Sequence, residues 1–195
     1  MTSNRHPQRE RPRTSRVSRL ALVAALAWTL PARAPAQQTG TVEGGAFARY
    51  TDFDHSLALA RSVGAGGRVG VFVRPNVAVE LDLSSASATR AGGASVSHAP
   101  LHAWLVYSPS LNPRATLLFG GGIVRNRYGD AYRATDHGLA GFVGLRRRLN
   151  DRWLLRLDAT EDFVTAPANA TPQVTYNANF TIRAGLSTFL RRGGG

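Results

Sequence analysis

Residues 76–85 read NVAVELDLSS. Val77, Val79, Leu81 and Leu83 alternate with Ala78, Glu80, Asp82 and Ser84, the period of two that marks a strand with one apolar and one polar face. Two acids share the polar face. In a soluble sheet the valines and leucines point into a core and the acids into water. In a membrane barrel the aliphatic face meets lipid and the acids point into the lumen. This stretch alone permits both orientations, so the rest of the chain has to choose.

The chain has 195 residues and no cysteine, which allows one ordinary domain and excludes disulfides and thiolate metal sites. All 24 basic residues are arginine. Without lysine there is no Schiff-base chemistry, no Walker-type phosphate loop and no Ser–Lys catalysis. Six arginines in residues 1–19 precede LALVAALAWTL at 20–30 and then PARAPAQQ, with Ala34 and Ala36 at the spacing of a cleavage site. This order of basic, apolar and small residues reads as a secretory signal peptide over 1–36. The apolar run is shorter than the roughly 20 residues a membrane helix needs. Cleavage after Ala36 leaves 159 residues, with 17 basic and 11 acidic side chains, so the net charge of +12 falls to +6. A nucleic-acid partner is not expected at that charge.

The remainder, 37–195, reads as a single barrel domain built from eight candidate strands. They cover approximately 41–51, 63–74, 77–88, 98–108, 114–125, 137–148, 152–163 and 175–190. No segment in it keeps an i, i+3, i+4 apolar pattern. Regular short strands with turn signals between them suggest an all-β barrel or sandwich. The connections at 52–62, 89–97, 126–136 and 164–174 are long and polar, and those at 75–76, 109–113 and 149–151 are short. Such sorting fits an up-and-down barrel with turns at one end and outer loops at the other. The polar faces collect Glu80, Asp82, Arg156, Asp158 and Arg183, a set expected to form a charge network inside a plugged lumen. A barrel of eight strands has room inside only for side chains.

The mature chain resembles the small OmpA/OmpX-type outer-membrane β-barrel domains of Gram-negative bacteria. The likeness lies in this pattern and in a last strand where Arg183, Gly185 and Leu190 match the family's assembly signal. It implies an eight-stranded antiparallel transmembrane barrel in the outer membrane, inserted by the barrel-assembly machinery. It also implies a non-enzymatic structural or surface-binding scaffold that needs no cofactor and whose surface ligand is not specified.

Other residues offer candidate sites. GAGGRVG at 64–70 lacks dinucleotide spacing, and GGG at 120–122 lacks the lysine of a phosphate loop; both read as space-making in curved strands. His98 and His102 stand about 13 Å apart on a strand, too far for one ion. His55 and His137, with Asp52, Asp54 or Asp136, are the candidates for a metal in the loops. Ser97 and His98 are the only candidates for a lipid A or phospholipid hydrolase. Arg74, Arg114, Arg146, Arg147, Arg148 and Arg152 fall at the expected periplasmic rim, where long cationic side chains reach lipid headgroups. Arg125, Arg127 and Arg133 fall at the opposite rim, within reach of lipopolysaccharide phosphates. A soluble periplasmic barrel of lipocalin type, with an apolar cavity, is the alternative architecture. It would turn Glu80, Asp82, Arg156, Asp158 and Arg183 outward.

Overall fold

A computed structural model describes residues 38–165, 167 and 176–193. The expected signal peptide and most of the 164–174 connection lie outside the described residues. Eight long strands form the wall: β1 (Val42–Asp52), β2 (Ser62–Arg74), β3 (Val77–Thr89), β4 (Ser95–Tyr107), β6 (Ala115–Tyr128), β7 (Ala134–Arg148), β8 (Leu154–Thr165) and β9 (Tyr176–Arg191). The three-residue β5 (Ser110–Asn112) sits in the connection between β4 and β6. Each long strand pairs antiparallel with its neighbours in sequence. The β4–β6 and β1–β9 pairings complete the ring, so no long strand keeps an open edge.

The faces settle the orientation of NVAVELDLSS. Leu81 and Leu83 are 50% and 57% exposed, whereas Glu80 and Asp82 are each 5% exposed. The same alternation runs round the barrel. Val69, Val71, Leu105, Ile123, Leu139, Leu157, Ile182 and Leu186 all point outward, forming the apolar band that lipid requires. Tyr107, Phe119 and Trp153 lie on this surface toward the short-turn end, and Tyr50, Phe163 and Tyr176 toward the loop end. This is the placement of aromatic belts at the two membrane interfaces. The lipocalin-type alternative requires the reverse orientation.

Two apolar clusters share the interior with the polar groups. Phe72, Ala78, Trp104, Val106, Leu118, Val124, Ala140 and Phe142 pack together in one. A Cβ at Gly120 would strike the Phe142 ring, so that glycine makes room for it. At the loop end, Phe53, Leu57, Ala88, Val96, Tyr128 and Tyr132 form the second. The connection after β1 builds this cap. Asp54 accepts a hydrogen bond from the Ser56 N–H and starts a short 3-10 turn over His55–Leu57. Ala58 ends it in the left-handed conformation at φ 51°. The chain then binds the β3–β4 loop through Ala60 N–H to Thr89 O and Ala91 N–H to Ala58 O.

The connections depart from their expected lengths. Pro75–Asn76 is the two-residue turn expected, with Asn76 at φ 68°. However, 90–94 and 129–133 have five residues each, as many as 149–153 at the turn end and fewer than 108–114. Polar residues at 126–128 and 134–136 continue the β6–β7 ladder as far as Tyr128 opposite Ala134, because backbone pairing does not require an apolar side chain. Arg152 and Trp153 precede β8 instead of starting it, since both donate backbone N–H groups to the Asn150 carboxamide in an Asx-type turn.

Candidate functional site

The candidate site is the polar middle of the lumen. Its side chains come from alternate positions on five of the eight wall strands, β2, β3, β4, β8 and β9. Arg156 on β8 donates through its Nη1 to both Glu80 oxygens on β3 at 2.8 and 3.0 Å, and through Nε to Asp158 at 2.9 Å. Arg68 on β2 reaches the second Asp158 oxygen at 2.8 Å. Arg183 on β9 donates to Asp82 at 2.8 Å and lies 3.5 Å from Asp158. Trp104 Nε1 donates to Asp82 at 2.6 Å. His102 places Nδ1 2.8 Å from Asp82 and Nε2 3.0 Å from Asp162. Glu80, Asp82, Arg156, Asp158 and Arg183 thus lie in one connected network spanning the barrel. Ionised groups can sit there because each faces an opposite charge. The guanidinium carbons of Arg183 and Arg156 also stand 5.4 and 5.1 Å from the Phe142 ring centre, where the ring face favours a cation.

Two smaller groups flank the network. Toward the turns, Arg146 donates to Glu43 at 2.6 Å, and Ser187 donates to the other Glu43 oxygen. Toward the loops, Arg49 lies 2.8 Å from His98 Nδ1, and His98 Nε2 lies 3.0 Å from Asn126. Outside the strands, burial pushes the Tyr132 phenol up, and its hydroxyl donates to the Leu57 carbonyl. On the exposed side of the cap, the hydrogen bond to Asp52 raises Arg61.

The rim arginines divide. Arg74, Arg114, Arg147, Arg148 and Arg152 are exposed at the turn end, joined by Arg191 and Arg192. Among the described residues, Asp151 is the one exposed acid there. Arg146 is a correction: it is 4% exposed and bound to Glu43 in the lumen. Within the run Arg146–Arg147–Arg148, strand alternation turns the first inward while Arg147 takes the outer face.

Sequence reading missed Glu43, Arg49, Arg68, Arg146, His98, His102 and Asp162 as lumen residues. The signal was present as parity. Glu43, Phe47 and Arg49 alternate inward on β1, but glycines and one aromatic among them hide the polar face. The even separation of His98 and His102, read only as too wide for a metal, places both in the lumen. Neighbouring residues on a strand point to opposite faces, so Ser97 and His98 are divided by the wall. His98 is buried and engaged by Arg49 and Asn126. His55 is exposed in the cap, His137 lies on the outer face of β7 and Asp136 is buried within. No cluster of three metal-binding side chains forms among the described residues.

Comparison with solved structures places this barrel among small outer-membrane proteins. Neisserial surface protein A matches with a TM-score of 0.61 at 14% identity, covering 76% of this chain and 95% of its own. OprG from Pseudomonas aeruginosa gives 0.55 at 14% identity, covering 82% and 100%. AlkL, solved in lipid bilayers, gives 0.55 at 19% identity, covering 86% and 98%. At these identities the likeness is one of fold. No curated protein sequence matches the chain. The model of the outer membrane protein beta-barrel domain matches residues 20–187, well over half of the chain. The chain belongs to the outer-membrane β-barrel family and is a small outer-membrane barrel protein.

Proposed function

We propose that this protein is a non-enzymatic scaffold whose lumen is sealed by its own ion pairs. Residues 1–36 serve as the export signal, and the barrel-assembly machinery inserts the domain that follows. The Glu80–Arg156–Asp158–Arg183–Asp82 network acts as a structural plug. Arg74, Arg114, Arg147, Arg148 and Arg152 hold the turn end against anionic headgroups. Arg125, Arg127 and Arg133 contact lipopolysaccharide phosphates at the other rim. The capped loop end is the surface available to an outside partner.

The observation that carries this reading is the network itself: three guanidinium groups and three carboxylates bonded across the lumen. It fills the narrow lumen of an eight-stranded barrel with paired side chains. The test is conductance of the purified barrel in a planar bilayer. The expected result is no stable single-channel step. A reproducible, voltage-independent step from the wild-type barrel overturns the plug.

A further inference from the structure

Glu161 departs from the sorting that places the acids of the wall strands in the lumen. Asp162 points into the lumen and meets His102; strand alternation therefore turns Glu161 outward. Phe163, the next outward residue on β8, is 47% exposed within the apolar band. Glu161 lies four residues below Thr165, the loop-side end of β8. A rise of about 3.3 Å per residue and a strand tilt of about 40° place it about 10 Å inside that end. Its side chain has no hydrogen bond or ion pair among the described residues. A carboxylate on a lipid-facing surface is costly without a partner, and such residues mark sites.

The neighbours define what the partner must be. Across the ladder, Glu161 stands opposite Gly141, and Gly141 opposite Gly121. A side chain at Gly121 would meet nothing within 4 Å, so the surface beside Glu161 is a shallow notch. Ile123, Leu139 and Phe163 form the apolar row just above it, and Arg125 beside His137 the row above that. Arg127 and Arg133 continue the positive rim. The order from the loop end inward is therefore cations, an apolar row, then one hydrogen-bond acceptor beside an open notch. A glycerophospholipid satisfies the cations but brings only ester carbonyls to the level of Glu161, and these cannot donate. An acylated sugar phosphate brings amide N–H and acyl hydroxyl donors below its phosphates.

We propose that this face holds one lipid A molecule of lipopolysaccharide. Its phosphates lie on Arg125, Arg127 and Arg133, one acyl chain lies in the Gly121–Gly141 notch, and an amide or hydroxyl group donates to Glu161. The proposal rests on the lipid contact assigned above to the loop-end arginines and adds an acidic residue that selects among anionic lipids.

The test is native mass spectrometry of the intact barrel released from detergent with equal amounts of lipid A and phosphatidylglycerol. Folding of each variant is checked by heat-modifiable gel mobility. The wild type retains lipid A preferentially. Glu161→Leu, an apolar change on a lipid-facing site, lowers lipid A retention about tenfold, the loss of one charge-assisted hydrogen bond, and leaves phosphatidylglycerol unchanged. Gly121→Leu fills the notch and lowers lipid A selectively. The triple change Arg125→Ala, Arg127→Ala and Arg133→Ala lowers both lipids. Unaltered selectivity in Glu161→Leu overturns the role of Glu161 while leaving the arginine rim in place. Undiminished binding of both lipids by the triple variant overturns the rim contact itself.

Discussion

Asp158 is the junction of the lumen. One carboxylate accepts from Arg156 and Arg68 and stands 3.5 Å from Arg183. Its removal leaves Arg68 without an acidic partner and takes one of two from Arg156 and Arg183. Breaking a buried ion pair from one side costs about 3–5 kcal/mol, so Asp158→Ala is expected to lose stability on that scale in equilibrium urea unfolding in vesicles. Arg61 offers the opposite case. Its pairing with Asp52 at 3.2 Å joins two solvent-exposed side chains, where entropy and screening cancel most of the attraction. Arg61→Ala is expected to leave the unfolding midpoint unmoved. Of these residues, Asp158 was legible in the sequence because it alternates cleanly with Leu157 and Ala159. Arg68 was not, since the glycines around it left no apolar face to alternate against.

At the scale of elements, the segment after β1 behaves as a cap on a rigid wall. Leu57 is fully buried against Phe53, Val96 and Tyr128, and its carbonyl accepts from Tyr132. Leu57→Ala is expected to cost about 2–5 kcal/mol of local stability, because the cavity lies under a short turn that can open without the barrel. Hydrogen exchange should then quicken at 53–61 while β1 and β2 stay protected; equal quickening in both strands would show that cap and wall open together. The wall strands were legible as elements, with boundaries near their true positions at Pro75 and Asn76. Two loop-end connections were not, because a polar strand end and a polar loop have the same composition. The backbone ladder that separates them lies between residues distant in sequence.

For the molecule as a whole, membrane and lumen exchange the usual places of solvent and core. Leu81 is expected to reveal this. Leu81→Arg places a charge on the lipid face, where the cost approaches about 2–4 kcal/mol near the midplane. Its effect on unfolding in vesicles should far exceed that of Leu81→Ala. Comparable effects of the two changes would mean that Leu81 does not face hydrocarbon.

The sequence by itself determined the class of protein. Period-two segments with acids on one face and aliphatic residues on the other lead to a barrel, and the signal-like start with the expected sorting of long and short connections leads to the outer membrane. The strands follow from local periodicity, which a strand imposes on its own residues. Tertiary structure alone decided the partners. Arg68 meets Asp158 across 90 positions, Arg183 meets Asp82 across 101, and Arg146 meets Glu43 across 103. Such pairs depend on the shear at which the sheet closes, a property of the whole ring that no single strand carries. Strand alternation turned Arg146 into the lumen, where closure brought it Glu43. It also left Glu161 on the lipid side of the wall, one position from an aspartate buried within.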